Sequence, residues 1–284
     1  MIKRVITGAW FTVLLVACII LDSWAMLALL SAMMIISTME MYKAIRATGI
    51  EPVRWAGYMF CGLTIAAQCA SFFAPNSMNL STIALALGVM AAMVRLVFRG
   101  KIAVESLMAT VFPMLYPGIF YMLMMELLHL KSRGIVVVAL VLAIFSASIN
   151  DVFALITGLS IGKHKLAPEL SPKKTIEGSI GGLIASTLFS MAVPALVRVL
   201  LGWNPALLAG MENLPPVWTL GILGLLAGGL SQVGDLTASM IKRHCGVKDF
   251  GKILPGHGGI MDRMDGVLFC GAACYIFFKI AGLG

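Results

Sequence analysis

Nine stretches of this chain are apolar for about the length that crosses a lipid bilayer, and no other feature constrains its fold as much. They fall at about 5–21, 24–42, 55–74, 80–98, 104–130, 134–159, 177–201, 217–234 and 265–282, against the roughly 20 apolar residues that a membrane helix needs. The breaks are chemically coherent. Asp22 and Ser23 separate the first two runs, and Lys43 to Arg54, with Gly49 and Pro52, separate the next pair. Ala74-Pro75-Asn76-Ser77 reads as a turn, and Arg95 to Lys101 is a basic break. The run at 104–130 contains Pro113 and Pro117 and reads as one kinked span rather than two re-entrant pieces. Composition agrees, with 60% of residues hydrophobic and only 12% charged. Soluble domains carry about 25% charged residues, so a cytosolic domain, a secreted disulfide scaffold and a disordered chain are all excluded. The expected fold is all-α: a polytopic transmembrane helical bundle of about nine spans with a cytoplasm-facing polar cleft.

Charge sets the orientation. With the N-terminus in the cytoplasm and the spans alternating, the inside segments hold every Lys and Arg of the chain's 21 except Lys131, Arg133, Arg198 and Lys279. Splitting the 104–130 run would move the basic clusters at 163–174 and 242–263 outside. Met1-Ile-Lys-Arg before an apolar run resembles a signal peptide, but a second apolar stretch follows almost at once, so an uncleaved first span is expected. Six cysteines show no C-x-x-C spacing, and five lie inside apolar runs, so they read as small buried hydrophobes. No internal repeat suggests the inverted halves of a transporter.

Two polar segments interrupt the second half. The first, Gly162 to Gly178, carries Lys163, Lys165, Lys173 and Lys174. Ser171-Pro172 reads as a helix start, with Ser as N-cap and Pro at the first helical position. Lys173 and Lys174 would then oppose the helix dipole in its first turn, which suits a bound phosphate better than stability alone. A plain positive-inside loop is the simpler reading of the lysines. The second segment runs from Gly234-Asp235 to Asp265. Asp235 lies two turns before Lys242, where a carboxylate is costly and a functional candidate. Asp262 and Asp265 share a helix face, and oxygen ligands of this kind suit Mg²⁺. Gly256-His257-Gly258-Gly259 allows close backbone approach to a ligand. Each has an ordinary alternative: Asp262 can cap a helix beside Arg263, and Asp235 can pair with Lys242 or Arg243. Asn150-Asp151 lies about 16 Å into the sixth span, so Asp151 must face a polar cavity or a cation. Its closeness to the lysine loop suggests one cleft shared with Asp235, Asp262 and Asp265. Glu40, Glu105 and Glu126 lie near span ends and carry little signal.

The stretch Ser239-x2-Lys242-Arg243-x4-Lys248-Asp249-x-Gly251-x2-Leu254-Pro255-Gly256-His257-Gly258-Gly259-x2-Asp262-Arg263-x-Asp265 resembles the signature of the phosphatidate cytidylyltransferases, the CDP-diacylglycerol synthases. Upstream, Asn150-Asp151-Val-Phe-Ala, Gly162-Lys-His-Lys165 and Ser171-Pro-Lys-Lys174-Thr175-x-Glu177-Gly178 match the same pattern. The resemblance covers roughly 148–266 in detail; Leu155 departs from it, standing where the family often has tyrosine. It implies a nucleotidyltransferase of phospholipid synthesis that joins CTP and phosphatidate into CDP-diacylglycerol, releasing pyrophosphate. Asp235, Asp262 and Asp265 would serve a divalent metal, Mg²⁺ or Mn²⁺, with room for a second cation such as K⁺, and Asp151 would complete the acidic cavity. Lys242 and Arg263 would act on the reacting phosphates. Lys165, Ser171, Lys173, Lys174, Arg243, Lys248, His257, Gly258 and Gly259 would bind the nucleotide and head group, the role of His257 being open. The implied setting is the inner (plasma) membrane of a bacterium, with the site on the cytoplasmic side, the bilayer as partner, no nucleic acid, and room for a homodimer. The expected organisation is an N-terminal set of spans over 1–130 and a catalytic region over 131–284 with cytoplasmic loops at 162–176 and 242–264.

Two rivals use the same residues. A CTP-dependent polyprenol or phytol kinase would transfer the γ-phosphate. A cation transporter would use Asp151, Asp235 and Asp262 as an ion path, but would spread acids through the membrane depth instead of gathering them beside lysines.

Overall fold

A computed structural model describes residues 2–74, 77–98, 104–254, 256 and 258–284. Pro75 and Asn76 of the expected turn, Arg99 and Lys101 of the basic break, and Pro255 and His257 of the glycine-rich segment lie outside the described residues. Helices occupy the positions of the apolar runs: α1 (Ile2–Leu21), α2 (Ser23–Arg46), α3 (Arg54–Ser71), α4 (Ser77–Phe98), α5 (Val104–Pro113), α6 (Phe120–Glu126), α7 (Arg133–Ile161), α8 (Ile176–Leu201), α9 (Val217–His244) and α10 (Met261–Ile280). Among the described residues, the all-α expectation is supplemented by a two-stranded antiparallel ribbon of β1 (Lys165–Ala167) and β2 (Ser171–Thr175).

Among the described residues, six helical segments are long and apolar enough to cross a membrane, against the nine spans expected; Gly8–Leu21 forms a shorter apolar helix. α3 and α10 are not among the six. Arg54 and Gln68 dilute the first, and the turn from Asp262 to Asp265 dilutes the second. The segment Val104–His129 counts as one span. Its helix is broken at Met114–Ile119, which follows Pro113 and contains Pro117, and where Tyr116 takes extended backbone angles. Proline's missing N–H accounts for that break.

The chain divides into two compact units, Met1–Glu126 with Lys242–Arg263, and Leu127–Ile241 with Met264–Gly284. In the first, α2 buries Met26, Leu30, Met34 and Met41 on a helical stripe. Methionine's unbranched chain suits so irregular an interior. Several polar groups inside that unit are paired. Tyr42 Oη donates to Thr110 O at 2.8 Å, and Gln68 Nε2 donates to Glu126 Oε1 at 2.7 Å. Glu126 lies near a span end, as expected, and is buried.

In the second unit, the first half of α7 is buried on every side, with Ile135 to Leu140 all within the core. Past Asn150 the same helix exposes Val152, Phe153, Leu155, Ile156 and Leu159. α8 packs on α7 through glycines: a Cβ on Gly178 would stand 2.5 Å from Ala154 O, and one on Gly182 would meet Asn150 O at 2.7 Å. Small residues let membrane helices approach this closely. All six cysteines are free, and five are buried.

Candidate functional site

In the second unit a cavity of about 550 Å³ is lined by α7, the ribbon, α8 and α9. Asp151 faces it together with Lys165, Lys173 and Lys174, as an intramembrane acid in need of a polar surrounding should. Beneath them lies a buried amide network. Gln232 Nε2 donates to Asn150 Oδ1 at 3.0 Å and to Ser179 O at 3.1 Å, Ser179 Oγ donates to Gln232 Oε1, and Asn150 Nδ2 donates to Ser231 Oγ at 3.4 Å. Three helices are thereby tied at one level.

The lysine loop is built differently from the sequence expectation. Ser171 and Pro172 do not start a helix; they open β2, which pairs with β1 in the register Lys165↔Thr175 and Ala167↔Ser171. Lys173 and Lys174 therefore extend from a strand rather than a first helical turn. The N-cap is Thr175, whose Oγ1 accepts the N–H of Gly178 at 3.1 Å. Proline without an N–H suits the ribbon's open edge as well as it suits a helix start. The acid in the true first turn is Glu177, which the dipole favours. Its carboxylate accepts the N–H groups of Lys163 (3.1 Å) and His164 (3.2 Å) and contacts His164 Nδ1 at 2.6 Å. Glu177 thus holds the turn that precedes the ribbon.

Lys174 forms an ion pair with Asp235 of α9, in place of the Lys242 or Arg243 partner that the sequence suggested for Asp235. Gly234, the residue before Asp235, lies against α10: its Cβ would meet Asp265 O at 2.5 Å. Asp235 and Asp265 therefore sit on helices in contact. Asp265 Oδ1 accepts the N–H of Gly266 at 2.8 Å.

In the first unit the segment from Lys242 to Arg263 folds around Asp262. Lys242 Nζ approaches Asp262 Oδ1 at 2.8 Å and stands 5.4 Å from the Phe250 ring centre. Asp262 Oδ2 accepts the N–H groups of Phe250 and Gly259, each at 2.9 Å. The Gly259 amide, expected at a phosphate, is thus engaged by the chain itself. Leu254 N–H closes the turn on Gly258 O at 2.9 Å. Arg243, Lys248 and Arg263 are exposed. Glu40, which the sequence reading set aside, is buried and accepts the N–H groups of Ile260 (3.3 Å) and Met261 (2.9 Å). Its only signal in the sequence was an acid inside an apolar helix.

Chemically, the second unit offers a cationic pocket with acids beside it, fit for a polyanion. The carboxylates of Asp235 and Asp265 are hard oxygen donors, which fits Mg²⁺: it takes one or two carboxylates and completes its shell with substrate phosphates and water. Among the described residues no group of three His, Cys, Asp or Glu side chains is gathered tightly enough to hold a metal unaided.

Known proteins are similar to this chain. The profile of a cytidylyltransferase family matches residues 2–281. A curated protein named phosphatidate cytidylyltransferase from Staphylococcus saprophyticus is 40% identical over 154 residues, 54% of this chain and 52% of its own. One of the same name from Thermotoga maritima is 40% identical over 139 residues, 49% and 48% of the two chains. Another, from Brucella abortus, is 39% identical over 131 residues, 46% and 43% of the two. The alignments with these curated relatives span about half of their length.

Proposed function

Because the chain belongs to the cytidylyltransferase family, we propose that it transfers the cytidylyl group of CTP to phosphatidate, giving CDP-diacylglycerol and pyrophosphate. A phosphate oxygen of the lipid attacks the α-phosphorus of CTP, and the bond to the β-phosphate bridging oxygen breaks in line with it. No general base is needed, since the attacking phosphate monoester is ionised at neutral pH. The observation that carries this reading is the cavity that sets Asp151 beside Lys165, Lys173 and Lys174, with Lys174 paired to Asp235.

The lysines neutralise the triphosphate and hold it in one orientation, which is what phosphoryl-type chemistry asks of a protein. Arg243, Lys248 and Arg263, exposed on and after α9 and at the start of α10, meet the head group and the departing pyrophosphate. Ser171 and the turn at Gly258 and Gly259 shape the backbone around them. Asp235 and Asp265, on helices in contact, would hold Mg²⁺, or Mn²⁺ in its place, with K⁺ as a second cation. That metal would supply charge neutralisation at the phosphates being transferred. Asp262 keeps one oxygen on Lys242 and the other on two backbone amides. The lipid stays in its leaflet, and CTP comes from the cytoplasmic side of the inner membrane.

The test uses purified protein, phosphatidate, and CTP labelled on the α- or the γ-phosphate, with and without chelator. Label from the α-position should enter the lipid, and a chelator should abolish incorporation. Lipid labelled only from the γ-position would make the protein a kinase, and full activity in excess chelator would remove the metal.

A further inference from the structure

We infer that Glu40 is a positioning residue for this reaction: from α2 it clamps the start of α10 and so aims Asp262 and Arg263. The inference rests on the proposed cytidylyl transfer for its meaning in catalysis, though the clamp itself is a structural matter.

Glu40 lies on an apolar helix that has crossed nearly all of its length, and only 3% of it is exposed. Burying a carboxylate there is expensive unless its oxygens are hydrogen-bonded. Both are. Oε1 accepts the Ile260 N–H at 3.3 Å and Oε2 the Met261 N–H at 2.9 Å. These are among the amides that a helix leaves without an internal partner at its first turn, and they carry the positive end of the dipole. The acid thus caps α10 from another helix, in the place a local Ser or Asp would ordinarily take.

The fit around the carboxylate is close. A Cβ on Gly251 or on Gly259 would collide with Glu40 Oε1. The two glycines therefore have a reason within the protein, separate from any approach to phosphate. Asp262 takes the next amide back, that of Gly259, with the same oxygen that holds Phe250. Three consecutive amides, Gly259, Ile260 and Met261, are divided between two carboxylates. Asp262 fixes the near end of the turn and Glu40 the far end. With Glu40 altered, the first turn of α10 loses its external anchor, and the directions of Asp262 and Arg263 loosen with it. Glu40 itself touches no substrate.

Glu40→Gln tests this, because an amide of equal size can accept from only one of the two N–H groups and opposes the other. Its kcat should fall by about 10- to 100-fold, the loss expected from misplacing a group by an ångström or so. The KM for CTP should stay within about twofold, since no binding contact is removed. Deuterium uptake should speed up in peptides covering 250–264 and stay unchanged in those covering α3 and α4. Glu40→Asp, shorter by one methylene but still able to accept one N–H, should lie between Gln and wild type in both measurements.

Wild-type kcat in Glu40→Gln overturns the inference, as does faster exchange spread equally over α3 and α4, which would mark general structural support. If Glu40→Gln does not accumulate in membranes, the Asp variant and the wild-type exchange decide. Fast exchange of the 250–264 amides in the unaltered protein would also defeat the clamp. A wild-type protein that forms no CDP-lipid would remove the proposed function and leave the exchange result to judge the clamp alone.

Discussion

Among the described residues, the pair Lys242–Asp262 in the first unit and the pair Lys174–Asp235 in the second are built to different ends. Asp262 is 3% exposed at its side chain and Lys242 16%, and the acid also holds two backbone amides. Asp235 and Lys174 are 31% and 26% exposed, and Lys174 borders an open cavity. Burial and extra hydrogen bonds make the first pair an anchor whose loss must unsettle the turn around it. Exposure and the neighbouring cavity leave the second free to trade partners when a polyanion arrives. A charge count shows two equal pairs; only their surroundings separate support from exchange.

The comparison breaks most sharply at Asp262. Asp262→Asn should lower CDP-lipid formation to background and also reduce stability, because removing one member of a buried pair costs about 3–5 kcal/mol. A thermal melt in detergent should register that loss while the protein still inserts into membranes. An unshifted melt with ordinary turnover would make the two pairs alike. Asp235→Asn comes next. It should cut turnover about 100-fold by weakening metal and phosphate handling, yet leave the melt nearly unmoved, since a pair so exposed contributes about 0–1 kcal/mol. A large drop in melting temperature would show this pair to be an anchor too. The smallest effect belongs to Lys174→Met, which keeps length and removes charge. The KM for CTP should rise about tenfold, with kcat less affected, if Lys174 meets the triphosphate in the bound state.

Much of this could be seen in the residues alone. Apolar runs of bilayer length placed the helices well, because their periodic pattern and their breaks depend only on local chemistry. Asp151 was legible for a related reason: a carboxylate deep in an apolar run has few tolerable surroundings. The ribbon at 165–175 was not legible. Ser171-Pro172 satisfies the local rules for a helix start and for an edge strand equally, and pairing with Lys165–Ala167 decided between them. Thr175 then took the cap four residues later than expected. Glu40 was hidden for a different reason. Its partners are backbone amides more than two hundred residues away, and an amide leaves no mark on the identity of its residue. The count of spans also depended on more than run length, since α3 and α10 begin with polar or charged residues that serve the fold.

The glycine contacts between α7 and α8 have a mechanical consequence. At Gly178 and Gly182 the two helices already touch backbone to backbone, and the Asn150–Gln232–Ser179 bonds rivet α9 to the same level. Widening the cavity by spreading these helices would have to break all of those contacts together. The ribbon is held by fewer ties: its own pairing, the grip of Glu177 on the preceding turn and the ion pair of Lys174 with Asp235. The pocket therefore has a stiff frame and one pliant wall, and the pliant wall is the one that carries Lys165, Lys173 and Lys174.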